Sequence, residues 1–246
     1  MILKNANFKA ISVEYLTLAE EKDKCQACKI YNHYKCVVPS EGNAKNPTFM
    51  FVGESPGRVE VDERRPFIGP AGQLLREYLR QFGFNKKNTI LTNVIPCRPE
   101  NNKFPTDVTI VNDCVFRWLY KEIEILRPKF IITCGSPALK AIRRSQGVSM
   151  SVGANRGRWD FVNRFRAFTL ATWHPSYVLR CQNDENKQTV LIEFKNDLEK
   201  VSKEWLYLYS DKRLYMSLKE QKKHTIKKVT AAMSGNVSEF LGGDLW

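Results

Sequence analysis

Four short apolar runs along the chain have the pattern of buried β-strands. Each holds five or six residues, is rich in β-branched and aromatic side chains, and is bounded by glycine, proline or asparagine. The runs are TFMFVG (48–53), TILTNV (89–94), KFIIT (129–133) and AFTLAT (167–172). Together they predict a sheet whose strands lie in the interior of the protein.

Helical patterns separate these runs. In the segment 71–83 the apolar residues recur on one helical face, and Gly83 suits the position after a helix end. Three more helices are predicted over 107–126 (with Thr106 as the N-cap), from Ser136 onward, and over 187–207. Strands that alternate with helices favour an α/β fold with a mostly parallel sheet covered on both faces. Ligands of such sheets bind beyond the carboxyl ends of the strands.

Composition narrows the class of protein. The chain has 246 residues, 43% of them hydrophobic, which is enough for a substantial core. No apolar run approaches a membrane span and the first ten residues do not resemble a signal peptide, so we expect a cytoplasmic or nucleoid-associated protein without membrane contact. In that compartment the seven cysteines are not expected to form structural disulfides.

The net charge of +13 favours a polyanionic partner, and nucleic acid is the usual one. Periodicity fades after about residue 210, and the stretch 211–228 carries seven Lys or Arg against two acidic residues. We therefore expect one domain over 1–209 and a basic C-terminal extension over 210–246.

Four cysteines have spacings that suit a metal centre. Cys25 and Cys28 form a CxxC pair, Cys97 lies between prolines, and Cys114 falls in the second predicted helix. A CxxC alone fits a redox pair or half of a zinc site equally well. All four together fit an all-thiolate site for an iron–sulfur cluster or, alternatively, zinc. Cys36 competes with the CxxC pair because it is so near in sequence.

Seven segments carry the most unusual residues of the chain. They are CQAC (25–28), FVGESPG (51–57), RPFIGPAGQLL (65–75), TNVIPCRPENNKFPT (92–106), NDCVFRWLYKEIEILRPKFIIT (112–133), RGRW (156–159) and HPSYVLR (174–180). In this order they resemble the motifs of the iron–sulfur-containing family of the uracil-DNA glycosylase superfamily, often called family 4. The resemblance spans about residues 22–200.

This resemblance implies a three-layer α/β/α sandwich around a central four-stranded, mostly parallel sheet. It implies a monofunctional enzyme of base-excision repair that hydrolyses the N-glycosidic bond of uracil in DNA and leaves an abasic site. It also implies a [4Fe–4S] cluster with a structural role, bound by Cys25, Cys28, Cys97 and Cys114. The expected partner is uracil-containing DNA, single- or double-stranded, and we expect a monomer.

Three residues are the candidates for catalysis. The amide of Asn93 can pair with O4 and N3–H of uracil, although a strand-end amide can also cap a turn. His174 can donate a hydrogen bond to O2 as negative charge develops there, unless it is a structural histidine bonded to backbone. Glu54 can position water, stabilise the sugar cation or shape the pocket against the methyl group of thymine, and the sequence does not choose among these roles.

Gly53, Ser55 and Phe67 complete the predicted base pocket. The glycine allows the backbone to lie close to a ligand. Phe67 suits stacking on a base that has left the duplex, or else it packs in the core. Ser55 stands where the family usually has Ala or Gly and where another glycosylase class has a catalytic Asp. A serine can hold water but cannot replace a carboxylate.

The HPSYVLR and RGRW segments are predicted to contact DNA. The arginines and the serine suit phosphate contacts, whereas the apolar pair can fill the gap that a flipped base leaves, or else pack in the core. The predicted contacts are Arg156, Arg158, Ser176, Val178, Leu179 and Arg180.

Two other functions remain open at this stage. The same fold can act on another damaged or modified base, which Ser55 keeps in view. A non-catalytic iron–sulfur DNA-binding accessory protein is also compatible with the charge and the cysteines. Covalent capture of uracil is disfavoured because the segment 144–159 contains no histidine.

Overall fold

The computed structural model describes residues 11–143, 151–181 and 187–209. These residues contain a six-stranded sheet. Its strands are β1 (Glu41–Gly42), β2 (Phe49–Gly53), β3 (Thr89–Asn93), β4 (Phe130–Cys134), β5 (Trp159–Val162) and β6 (Ala167–Thr172). Their spatial order is β1-β3-β2-β4-β6-β5.

The four strands predicted from apolar runs form the parallel centre of this sheet, β3-β2-β4-β6. The α/β fold class is therefore confirmed, although the sheet is larger than the four strands expected. The two added strands, β1 and β5, pair antiparallel at the edges. β1 has only two residues and β5 is only partly buried. Neither strand therefore has the continuous apolar sequence from which a central strand is predicted.

Helices connect and cover the strands. They are α1 (Val13–Asp23), α2 (Lys29–Tyr34), α3 (Arg58–Glu63), α4 (Pro70–Gln81), α5 (Val108–Cys114), α6 (Tyr120–Leu126), α7 (Ser136–Arg143), α8 (Val152–Asn155), α9 (Pro175–Arg180) and α10 (Lys187–Tyr209). The four predicted helices are all present, but the one over 107–126 contains a π-helical turn, Val115–Leu119, between α5 and α6. Its predicted N-cap, Thr106, is wrong. Asp107 caps the helix, because its carboxylate accepts a hydrogen bond from the Thr109 N–H at 3.0 Å.

Alternate side chains of the central strands enter two separate cores. In β2, Met50 and Val52 pack in a core shared with α1, α6 and α7. Phe49 and Phe51 pack on the other face, against α4, α9 and α10. The result is the three-layer α/β/α arrangement, with the carboxyl ends of all four parallel strands at one edge.

A buried ion pair connects α1 to the first of these cores. The Lys22 ammonium lies 3.1 Å from a carboxylate oxygen of Glu122, and both side chains are almost fully buried. The Glu122 carboxylate also accepts hydrogen bonds from Tyr15 and from Thr92, the residue before Asn93. Burial and the adjacent Glu122 charge raise the pKa of Tyr15 far above its ordinary value, which keeps the phenol a donor.

The predicted C-terminal extension and the expected absence of a membrane span concern residues that the structure describes only in part or not at all. The basic extension 210–246 lies outside the described residues, so the boundary at 209/210 stays a prediction. Among the described helices, none combines the length and apolar character that crossing a bilayer requires.

Candidate active site

The register of the parallel strands brings the predicted pocket residues to one edge of the sheet. Gly53, the last residue of β2, pairs with Asn93, the last residue of β3. On the other side of the sheet centre, Cys134 at the end of β4 pairs with Thr172 at the end of β6. His174 follows two residues later. The loops after these strand ends enclose a cavity of about 450 Å³.

Most of the predicted catalytic and base-binding residues line this one cavity. Its walls include Glu54, Ser55, Phe67, Asn93, His174, Ser176 and Arg180. Residues from four chain segments thus meet in a space of the size that small ligands occupy.

Gly53 lies beneath both the amide of Asn93 and the ring of Phe67. A Cβ atom at this position would lie 2.4 Å from Oδ1 of Asn93 and 2.5 Å from Cζ of Phe67. Contacts this short do not occur for real side chains, so a side chain at this position would displace the amide or the ring. The absence of a side chain therefore lets the amide and the aromatic ring approach each other at the floor of the cavity.

The Asn93 side chain has hydrogen-bonding capacity to spare. The residue is only 9% exposed, yet its amide makes no hydrogen bond with any described residue. Buried amides are normally paired, so one that faces a cavity without a protein partner is suited to a ligand. The segment after it is fixed, because the N–H groups of Val94 and Ile95 donate to the carbonyls of Gly53 and Glu54 at 3.0 and 3.2 Å.

His174 caps the N-terminus of α9 and has a defined tautomer. Its Nδ1 accepts a hydrogen bond from the Ser176 N–H at 3.2 Å and lies 2.7 Å from the Ser176 hydroxyl. Because a backbone N–H can only donate, the neutral ring must carry its proton on Nε2. Burial, reinforced by the charge of Arg180, lowers the pKa of His174 to about 4. The residue is thus a neutral imidazole with one N–H donor.

Glu54 is half-buried in the cavity wall, with no hydrogen bond from a described residue to its carboxylate. Burial raises its pKa above the ordinary value, and the charge of Arg180 opposes this shift. Arg180 is exposed and donates to the Ser176 hydroxyl at 3.3 Å. The guanidinium of Arg180 therefore acts electrostatically on both the Glu54 carboxylate and the His174 imidazole.

Two residues that hold the pocket loops were not found from the sequence. Glu60 of α3 accepts hydrogen bonds from the N–H groups of Gly57, Ile68 and Gly69. Arg76 of α4 donates to the carbonyls of Pro66 and Phe67. Both were hidden because a charged residue on a helix ordinarily indicates a solvated face, and only the three-dimensional path of the 65–69 loop brings backbone to them.

In the HPSYVLR segment the apolar pair is buried or half-buried, and the exposed apolar side chain is a tyrosine. Val178 is only 1% exposed and packs in the core beneath α9, and Leu179 is half-buried. Tyr177 is 38% exposed and its ring lies 4.9 Å from that of Trp173. An aromatic pair beside the cavity was missed because neither residue belongs to the expected wedge.

The two arginines of RGRW have different surroundings. Arg158 is exposed, as a phosphate contact requires. Arg156 faces the interior and forms ion pairs with Asp197 and Glu193 at 2.9 and 3.1 Å. Gly157, between them, has a φ of 66°, and a Cβ atom there would lie 2.7 Å from Oδ1 of Asp197, so this position favours glycine.

The four candidate ligand cysteines lie in one region of the protein. Cys97 is buried in the first core, and Cys25, Cys28 and Cys114 pack against that core. Burial, together with the neighbouring Cys28 and Cys25, raises the pKa of Cys114 to about 12. The thiol of Cys36 instead donates to the carbonyls of Val37 and Val61 at 3.6 Å.

These cysteines are close without being arranged around a single ion. Among the described residues, no three His, Cys, Asp or Glu side chains converge as one metal ion would require. Four thiolates on one zinc ion lie roughly 3.8 Å apart, given a Zn–S bond of about 2.3 Å. A centre containing several iron atoms holds its cysteines farther from one another, so the two kinds of centre place different demands on these four thiols.

Comparison with known proteins identifies the family. The family model described as the uracil DNA glycosylase superfamily matches residues 39–199. The chain therefore belongs to the uracil-DNA glycosylase superfamily.

The similar relatives are more specific. A type-4 uracil-DNA glycosylase of Thermotoga maritima is 34% identical over 188 residues, which cover 76% of this chain and 94% of that protein. A type-4 uracil-DNA glycosylase of Saccharolobus solfataricus is 35% identical over 167 residues, 66% of this chain and 76% of that protein. The likeness to family 4 that the motifs indicated is thereby confirmed.

Proposed function

We propose that this protein hydrolyses the N-glycosidic bond between uracil and deoxyribose in DNA, as a monofunctional enzyme of base-excision repair. The products are free uracil and an abasic site, and no phosphodiester bond is cut. The observation that carries the proposal is the close approach of the Asn93 amide and the Phe67 ring over Gly53. A ring to stack on and an unpaired amide at its edge are what recognition of one pyrimidine needs.

Asn93 supplies the discrimination between bases. Its amide group can accept a hydrogen bond from uracil N3–H while donating one to O4. Cytosine presents an amino group at C4 and no proton at N3, so an amide held in the orientation that suits uracil would face a donor with its own donor. The buried setting of Asn93 makes such a mismatch costly.

His174 and Glu54 act on the two charges that bond breaking creates. The bonding electron pair moves to N1 of uracil and spreads onto O2 and O4, and C1′ of the sugar becomes positive. The Nε2–H of His174 donates to O2 and stabilises the anion without transferring a proton. Glu54, when ionised, stabilises the sugar cation and orients water, whose oxygen bonds to C1′ while its proton passes to the Glu54 carboxylate; solvent then returns a proton to the uracil anion.

The target nucleotide must leave the base stack before this chemistry, because a cavity at the end of strand loops cannot reach the bond inside a duplex. The exposed groups beside the cavity are suited to contact the DNA on either side of the flipped nucleotide. Arg180 and Arg158 suit phosphates, and the Tyr177 ring suits a neighbouring base. Arg156 has carboxylate partners inside the protein and is a weaker candidate for that role.

Cys25, Cys28, Cys97 and Cys114 would bind a [4Fe–4S] cluster, and zinc is the alternative. Their packing in one region supports this, as does the occupation of the Cys36 thiol by carbonyls. Such a cluster would supply structural cross-linking, since it would join the N-terminal helices, the loop after β3 and α5. Cys97 is four residues from Asn93, so the cluster would fix one end of the segment that carries the amide.

Three further parts of the proposal rest on the sequence. They are a monomeric state, a cytoplasmic or nucleoid location, and a basic extension over 210–246 that increases affinity for DNA. Gel filtration with light scattering would test the first of these.

The deciding experiment offers single- and double-stranded oligonucleotides that contain uracil, hypoxanthine or 5-hydroxymethyluracil, followed by alkali to cut abasic sites. Excision of uracil is the expected result. Excision of a modified base alone would assign the protein a different substrate, and binding without any excision would make it an accessory DNA-binding protein.

A further inference from the structure

Phe67 has a backbone conformation that an aromatic residue rarely adopts. Its φ is 55°, in the left-handed region, where the Cβ atom of a non-glycine residue crowds the backbone. The side chain is nevertheless only 6% exposed and lines the cavity. Such conformations persist where the surrounding structure holds them, often because a function depends on the geometry.

Arg76 holds the backbone of Phe67 directly. Its Nε donates to the Phe67 carbonyl at 2.6 Å, and its Nη2 donates to the Pro66 carbonyl at 2.7 Å. The guanidinium is almost completely buried and is balanced by Glu41 of β1, whose Oε2 lies 2.6 Å from the same Nη2. A planar group with several fixed donors can satisfy two consecutive carbonyls and a carboxylate together, which a lysine cannot do.

A second contact holds the other side of the same residue. Gly72, in the first turn of α4, packs so closely that a Cβ atom there would lie 2.0 Å from the Phe67 carbonyl carbon. The carbonyl of Phe67 is therefore enclosed between the helix backbone and the Arg76 guanidinium. The ring at the opposite end of the residue reaches over Gly53 toward Asn93.

We propose that Arg76 is a positioning residue for uracil recognition, which acts by holding Phe67 in its left-handed conformation and so keeps the ring in the plane where the base stacks. This inference rests on the proposed function. It assigns a role in specificity to a buried arginine that touches neither the base nor the sugar.

The test measures preference for uracil in binding, separately from stability. The probes are two oligonucleotides that are identical except for one position, which is thymidine in one and 2′-fluoro-2′-deoxyuridine, whose glycosidic bond resists cleavage, in the other. The ratio of their dissociation constants is measured for the wild type, Arg76→Lys, Phe67→Ala and the double variant. Arg80→Lys is the matched control, since Arg80 is an exposed residue one turn further along α4.

We expect Phe67→Ala to lower the preference by about ten-fold, because only a base that enters the pocket gains the stacking contact. Arg76→Lys should lower it several-fold, Arg80→Lys should leave it unchanged, and the double variant should match Phe67→Ala alone. A merely structural role would reduce the folded fraction without changing the ratio. Independent, multiplicative losses in the double variant would overturn the inference, because Arg76 would then act through something other than Phe67.

Gly72→Ala gives a second, independent perturbation. It displaces the Phe67 backbone from the helix side and leaves every charge in place, so it should lower the uracil preference as Arg76→Lys does. An undiminished preference in folded Gly72→Ala protein would refute the proposal. If the wild type neither excises uracil nor binds it in preference to thymine, the proposed function itself is overturned. That outcome is seen in the wild type alone, whereas failure of the role of Arg76 is seen only in the variants.

Discussion

Arg156 and Asp197 form a two-pronged ion pair, with Nε 3.1 Å from Oδ2 and Nη2 2.9 Å from Oδ1. The Asp197 carboxylate also accepts a hydrogen bond from Thr172, the last residue of β6, at 2.9 Å. The pair therefore joins α10 to the strand that precedes His174. It also gives the first arginine of the RGRW segment a role inside the protein.

Substitution of the two RGRW arginines should therefore have opposite consequences. Arg156→Ala leaves Asp197 buried without its partner and should cost about 3–5 kcal/mol of unfolding free energy. Arg158→Ala should leave stability unchanged and reduce the salt dependence of DNA binding by about one unit of slope. Urea denaturation and binding titrations over a range of salt concentrations measure the two effects. If Arg156→Ala is instead stable and the salt dependence of its DNA binding is reduced, Arg156 contacts DNA rather than stabilising the fold.

The cost of Arg156→Ala should also depend on pH. Burial raises the pKa of Asp197 to about 6 even with Arg156 present, because desolvation outweighs its favourable partners. A raised folded-state pKa means that stability is lost as pH rises through that value. Removing Arg156 raises the pKa further, so the variant should lose more stability at about pH 8 than at about pH 5. Equal losses at both values would contradict this account of the carboxylate.

Asn93→Ala should lower the single-turnover rate of uracil excision by roughly 10²–10³-fold, the usual cost of one stabilising donor in an active site. Its fold should persist, because the amide makes no hydrogen bond with any described residue. Asn46→Ala, an exposed substitution outside the pocket, is the control. Near-normal excision by Asn93→Ala would remove Asn93 from the mechanism.

His174 should make the protein sensitive to mild acid. Its pKa is lowered to about 4 in the folded state, whereas an unfolded histidine has a pKa of about 6.5. The unfolded chain then binds more protons between these values, so unfolding free energy falls as pH decreases from about 6.5 toward 4. His174→Gln cannot titrate, and its stability should decline less over the same window. Parallel declines in the two proteins would show that His174 is not buried as described.

Loss of one cluster ligand should affect stability before chemistry. Cys97→Ser is expected to lower the content of iron and acid-labile sulfide and the melting temperature, and to reduce excision only in proportion to the folded fraction. Cys36→Ser is the control, since that thiol donates hydrogen bonds to the carbonyls of Val37 and Val61. Full iron content in Cys97→Ser, or a protein that holds zinc and no iron, would contradict the proposed cluster.

The parts of this fold that could be predicted are those that leave a local pattern. Continuous apolar runs such as Phe49–Gly53 identified the parallel strands, and motif order identified the cavity residues. The edge strand Trp159–Val162 escaped because its burial is uneven. Arg76 and Glu60 escaped because their partners are backbone groups of a loop, and no side-chain pattern records where a loop passes. The burial of Val178 was also not predictable, because the position of an apolar residue around a helix, and not its type, determines whether it faces the core or the DNA.

The Lys22–Glu122 pair has a consequence for where the domain can be cut. The matched family region starts at residue 39, but the buried carboxylate of Glu122 depends on Lys22 and Tyr15 in the helix before it. A shortened protein that begins at residue 39 would leave a charge in the interior, with Thr92 as its one remaining hydrogen-bond partner among the described residues. We therefore expect the smallest autonomous folding unit to include α1, which contributes Tyr15 to the core that also contains Val94, the residue after Asn93.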